Sequence, residues 1–193
     1  MDIIAARASE ATTPPADAIL PVPSPQAPPP GTPIPSHYPL CFGCGKDHET
    51  GLHIRMAAVA DLAVEARFTV DEHHQGAPGL AHGGVLAAAV DEVMGASNWL
   101  LMAPAVTARL EVDFGAPVPV GQTVRLTAAI VGQSERKVYT VADARTGSGP
   151  VLHARGLFLQ VDLQHFRRHG RAADVDRAAA GGAPERPWLE LNP

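Results

Sequence analysis

Residues 78–102, PGLAHGGVLAAAVDEVMGASNWLLM, open as a glycine-rich turn and continue as an apolar run broken only by Asp91, Glu92, Ser97 and Asn98. A helix that is apolar on nearly every side cannot lie on a surface and must be wrapped by the rest of its fold. The run is too short for a membrane span and carries two adjacent carboxylates, each costly in lipid. It therefore reads as a core helix, with Asp91 an ionisable group in its middle. Buried carboxylates are scarce unless they are paired or performing chemistry.

The flanking sequence supplies what would wrap such a helix. Residues 51–60 and 61–70 read as two strands with a turn at Ala60 and Asp61. In the second, Leu62, Val64, Ala66 and Phe68 alternate with polar or small residues, the period of a sheet with one buried face. After the helix, residues 106–114, 123–132, 137–145 and 151–162 again read as strands, separated by short turn-like stretches. Short links favour antiparallel pairing, so the expected fold is α+β: two strands, one long helix, then four strands curling round it.

At 193 residues the chain suits one domain with tails. Residues 1–39 hold eleven of the nineteen prolines, which remove backbone donors and leave little to bury, so a disordered, dispensable leader is expected there. The domain is expected over 40–162. Residues 163–193 show no sustained period and read as a poorly ordered tail, its Arg167, Arg168 and Arg171 solvated.

A formal charge of −5 gives no sign of a nucleic-acid binder. Two cysteines form no disulfide framework and no secretory signal is recognisable, so a cytoplasmic setting is expected, with no membrane partner. Cys41 and Cys44 have knuckle spacing, with His48 and His53 nearby. Two thiols alone leave a tetrahedral site half made, and the expectation is a buried structural pair around the Gly43 and Gly45 turn, without metal.

His82, Gly83 and Gly84 fall where loop becomes helix, and free N–H groups of a first helical turn present partial positive charge. Asp91 projects from the same face about two turns on. An amide to steady an oxyanion and a carboxylate to take a proton suit addition of water to a carbonyl. Gly83 and Asp91 are nevertheless separated by roughly 12 Å of helix rise, at about 1.5 Å per residue. One small carbonyl-and-water assembly cannot reach both, so at least a dimer is expected, with Gly83 of one copy facing Asp91 of another.

CFGCGKDHETGLHIRM, HHQGAPGLAHGGVLAAAVDEVMG, TARLEVDFGAPVPVGQTVRLTAAIV and ARGLFLQ together resemble the hot-dog acyl-CoA thioesterases of the PaaI-like, phenylacetate-pathway branch. The resemblance implies a hot-dog fold, a long central helix wrapped by a curved antiparallel sheet of five to six strands, with sites formed between subunits of a homodimer or dimer of dimers. It implies hydrolysis of an acyl-CoA or acyl-carrier-protein thioester without a cofactor, CoA being part of the substrate. Asp91 would be general base or nucleophile, the Gly83 amide would polarise the carbonyl, His82 would shape the turn, and Thr107 would position water or Asp91. Many relatives have asparagine six residues before the histidine, where this chain has Gly76. Gln75, or less directly His74, is the expected substitute, with Gly84 beside the substrate and Arg136 and Lys137 toward the CoA phosphates. The alternatives are a dehydratase or lyase of the same fold acting on a thioester, and a non-catalytic module that binds one.

Overall fold

The computed structural model describes residues 12–59 and 62–180. The expected turn at Ala60 and Asp61, residues 1–11 of the leader and residues 181–193 of the tail lie outside them. Helix α1 spans Gly83–Ala96 and passes into a 3-10 turn at Ser97–Leu100. The polar residues of the apolar run end the α-helix by bonding back to its carbonyls. Ser97 Oγ donates to Met94 O at 2.6 Å and Asn98 Nδ2 to Gly95 O at 3.2 Å.

Around α1 curves a sheet formed by β1 (Pro33–Ile34), β2 (Arg55–Val59), β3 (Ala63–Thr69), β6 (Ala105–Phe114), β7 (Thr123–Ser134), β8 (Lys137–Thr146) and β9 (Gly149–Gln160). A small separate ribbon pairs β4 (Gln75–Ala77) with β5 (Leu80–Ala81) ahead of the helix. The main sheet is ordered β1-β2-β3-β7-β8-β9-β6 with antiparallel pairs throughout. These are the six strands expected from the sequence plus a two-residue seventh, β1.

Alternation in sequence becomes alternation in burial. Val64, Ala66 and Phe68 of β3, with Val124, Leu126, Ala128 and Ile130 of β7, are buried, while Glu65, Arg67, Arg125 and Thr127 are exposed. Leu86, Ala89, Val90, Val93 and Met94 of α1 pack into that core. Ala87, Ala88, Asp91 and Gly95, recurring at helical spacing, remain only half-buried in a single chain.

The leader and tail depart from expectation. Residues 12–39 lie on the domain: Ile19 exchanges backbone hydrogen bonds with Gln133, Ser24 N donates to Leu100 O at 2.8 Å, and Gly31 N donates to Ala58 O at 2.8 Å. Ile34 pairs with Met56 across β1 and β2 and is 5% exposed. Proline lacks an N–H but keeps its carbonyl, so a proline-rich segment can still be held on the edge of β2 through the N–H groups of its other residues. Residues 163–180 likewise form two short helices, α2 (Leu163–His169) and α3 (Ala172–Ala180), with Asp162 capping α2 by accepting from His165 N at 2.9 Å.

Because Ile34 belongs to the core, Ile34→Ala is expected to cost roughly 2 kcal/mol or more in urea unfolding of the full chain. A loss below about 0.5 kcal/mol, the usual range for surface substitutions, would return the leader to a loose appendage.

Candidate active site

Asp91 occupies the half-buried side of α1 that looks toward β6, where Thr107 Oγ1 donates to Asp91 Oδ1 at 2.8 Å. The pairing of β6 with β9 shifts register between Thr107 and Arg109, a local irregularity of the kind that re-aims side chains beside functional sites. Both residues line a cavity of about 560 Å³ whose apolar wall includes Trp99, Met102, Phe158 and Phe166. Burial raises the Asp91 pKa above the ordinary aspartate value, and the Thr107 hydrogen bond pulls part of the way back. The pair thus offers a desolvated carboxylate with one oxygen fixed.

The helix mouth is built separately. His82 has extended backbone at the N-cap, and its Nδ1 accepts from Gly84 N at 2.8 Å, so the proton of the neutral ring sits on Nε2. His82 O takes the N–H groups of Val85 and Leu86, at 3.0 and 3.2 Å. Among the described residues the Gly83 N–H has no partner, which makes it the first-turn donor left for a ligand. The Gly84 N–H is already taken. Gly83 is not among the residues lining the cavity that holds Asp91, so a single chain does not bring donor and carboxylate together.

The loop before the helix uses its polar side chains internally. Gln75 Nε2 donates to Glu72 O at 3.1 Å and its Oε1 accepts from Gly79 N at 2.7 Å, so both ends of the amide close the loop. His74 is buried, with Nδ1 accepting from Asp71 N at 3.0 Å and its ring edge-on to Phe68. Gly76 has a steric reason: a Cβ there would stand 2.6 Å from His82 Cδ2 and 2.8 Å from His82 Cα. Any side chain at 76, asparagine included, would displace the residue that caps α1.

Arg136 and Lys137 lie at the hairpin between β7 and β8, outside the cavity lining. Lys137 and Val106 both pair with Leu159, from opposite sides, so the hairpin sits at the Asp91 end of the sheet, two strand spacings or roughly 10 Å from Val106.

Several cavity residues escaped the sequence reading. Phe166 and Val175 come from the tail helices, and Arg171, expected to be solvated, lies between those helices paired with Asp174 at 2.6 Å. His37 and Tyr38 come from the leader. The gathering at the knuckle consists of His37, Cys41, Cys44 and Glu92, not of His48 or His53. Burial chiefly raises the Glu92 pKa, to about 7, with His37 pulling it down and Cys41 pushing it up.

With this geometry, the family model described as thioesterase superfamily matches residues 78–153. Over that stretch the chain is similar to the thioesterase superfamily, and its fold is the hot-dog fold. Its relatives include an acyl-coenzyme A thioesterase THEM4 from Xenopus laevis, 33% identical over 104 residues, which are 54% of this chain and 47% of the relative. The chain thus spans about half the length of that relative. The crystal structure of a thioesterase superfamily protein superposes with a TM-score of 0.59 at 28% identity, covering 63% of this chain and 60% of the other. The E. coli PaaI protein of the phenylacetic acid degradation operon shares the hot-dog fold at 20% identity and a TM-score of 0.54, over 57% of this chain and 80% of its own.

In this hot-dog domain, Gly76→Ala is expected to force His82 off its cap and destabilise the protein by roughly 1–3 kcal/mol, as overpacking does. Unchanged unfolding in denaturant would mean that the loop yields freely and that Gly76 has another origin.

Proposed function

We propose that this protein is a homo-oligomeric thioesterase of the PaaI-like kind that hydrolyses an acyl-CoA, or an acyl-carrier-protein thioester, in the cytoplasm. The observation that carries the reading is the Asp91 carboxylate, fixed by Thr107 against an apolar cavity large enough for an acyl group. Naming of the Xenopus laevis relative as an acyl-coenzyme A thioesterase supports CoA as the carrier.

The reaction runs as follows in this proposal. The acyl group enters the cavity beside Trp99, Met102, Phe158 and Phe166, leaving the thioester carbonyl near Asp91. Asp91 takes a proton from water as its oxygen attacks the carbonyl carbon, and the Thr107 hydroxyl holds the carboxylate in place. The oxyanion accepts from the Gly83 N–H of a second copy, and collapse of the tetrahedral adduct breaks the C–S bond as the proton held by Asp91 passes to the leaving sulfur, so CoA departs as its thiol and Asp91 is again a carboxylate. His82 shapes the turn that presents Gly83. Gln75 and His74 act through that loop, and Gly84 forms its close-packed floor. Arg136 and Lys137 are the proposed contacts for the CoA phosphates. The reaction consumes water and needs no redox cofactor.

Two features support assembly of copies. Among the described residues the ten-residue strand β6 pairs only with β9 and has no strand on its other edge, a kind of edge that isolated proteins generally protect. The half-buried stripe of Ala87, Ala88, Asp91 and Gly95 is what a neighbouring subunit would cover.

Asp91→Asn is expected to lower free-thiol release from a panel of acyl-CoA substrates by roughly a hundredfold or more, with acyl-CoA binding retained. Thr107→Val removes one hydrogen bond to a charged group and is expected to cost about tenfold in kcat. A folded Asp91→Asn protein with undiminished turnover would make Asp91 a structural acid. Acyl-CoA that raises Tm without any turnover by the parent would instead favour a binding module.

A further inference from the structure

The loop ahead of β2 and the middle of α1 bring four metal-type donors to one point. Cys41 N donates to Tyr38 O at 3.0 Å and Gly45 N to Cys41 O at 2.8 Å, a tight knuckle that turns both thiols the same way. His37 Nδ1 lies 3.3 Å from Cys44 Sγ and 3.6 Å from Glu92 Oε1, and Cys41 Sγ lies 3.3 Å from Glu92 Oε2. All four donor atoms are within 4.8 Å of one another. A tetrahedral ion held at roughly 2.0–2.3 Å spaces its donors roughly 3.3–3.8 Å apart, so donors within 4.8 Å of one another need to close by only about 1 Å to hold one.

The packing keeps that arrangement open for Glu92. A Cβ on Gly43 would lie 2.6 Å from Glu92 Cδ, so any residue but glycine in the knuckle would push the carboxylate out. Cys44 is buried and Cys41 and Glu92 are half-buried, and two thiols and a carboxylate withdrawn from water are costly without full partnering. One divalent cation partners all four at once.

We propose that His37, Cys41, Cys44 and Glu92 bind a single structural Zn²⁺. Two sulfur donors disfavour Mg²⁺ and Ca²⁺, which take oxygen, and the mixed S₂NO set close to tetrahedral spacing suits Zn²⁺. Both thiols lose their protons to solvent as the Zn–S bonds form, with no change of oxidation state. Four protein ligands leave no open position, so the ion is a staple rather than a Lewis acid for substrate. It fastens the leader to α1 one residue from Asp91, and His37, Glu92 and Asp91 line the same cavity. Spacing in the sequence pointed only to His48 and His53 as further donors, whereas the structure brings in His37 from upstream in the leader and Glu92 from the distant helix. The proposal stands apart from the thioesterase reading, since a binding module would need the same staple.

The full chain, purified under reducing conditions, is stripped with chelator and titrated with Zn²⁺ and then with Co²⁺. Expected are one ion per chain, tetrahedral thiolate-to-cobalt absorption, and a Tm that falls on stripping and returns with Zn²⁺. Loss of an outer partner of a metal ligand already costs roughly 10- to 100-fold in affinity, so Cys44→Ser, His37→Ala and Glu92→Gln should each weaken Zn²⁺ by more than that. His48→Ala should not. Reduced, folded parent protein that shows no thiolate–cobalt band, or binds Zn²⁺ no tighter than the double variant Cys41→Ser/Cys44→Ser, overturns the proposal even if single variants fail to fold.

Discussion

A curved sheet can seal only one side of a helix, and in this protein the helix is apolar almost all round. Leu86, Ala89, Val90, Val93 and Met94 fill the sealed side, which leaves Ala87, Ala88, Asp91 and Gly95 to be covered by whatever else the chain or a neighbour provides. The leader, the tail helices and the strand after the helix converge there. A carboxylate on that partly covered stripe is desolvated enough to become a stronger base, yet still reaches a cavity. The Thr107 hydrogen bond offsets part of the desolvation and fixes the geometry.

The elements of the domain were largely legible because burial on one face imposes a period of two on strands. Val64, Ala66 and Phe68 show it, as do Val124 through Ile130, until register shifts between Ile130 and Gly132. Asp91 stood out as a charge inside an apolar run. Ile34 could not stand out, since a single apolar residue among prolines has no period and its burial depends on an available edge of β2. The tail helices are too short to show sustained periodicity, and Asp162 as an N-cap was their one local signal. The loop bonds of Gln75 were illegible for a different reason: whether an amide closes its own loop is decided by backbone path, which composition does not reveal.

The knuckle is legible only in three dimensions. Cys41 and Cys44 announce themselves by spacing, but Glu92 lies beyond four strands in sequence, β2 to β5, and meets them only once α1 is in place. His37, Tyr38 and Glu92 share a cavity with Asp91, so the leader shapes the wall of the candidate site as well as extending the sheet. Order in the leader and order at the carboxylate are therefore parts of one problem.

The central claim is that each site combines the Gly83 N–H of one subunit with Asp91 of another, and subunit complementation tests it most directly. Gly83→Pro deletes that N–H at the first helical position, where proline is well tolerated, and His82 before it is already extended at φ −68° and ψ 135°. Gly83→Pro and Asp91→Asn proteins should each be inactive. Co-assembled in equal amounts, they should recover about a quarter of parental thioester hydrolysis, since about half the dimers are mixed and each mixed dimer holds one intact site of two. Verified mixed dimers with no recovered activity would place donor and carboxylate in the same chain and contradict the account.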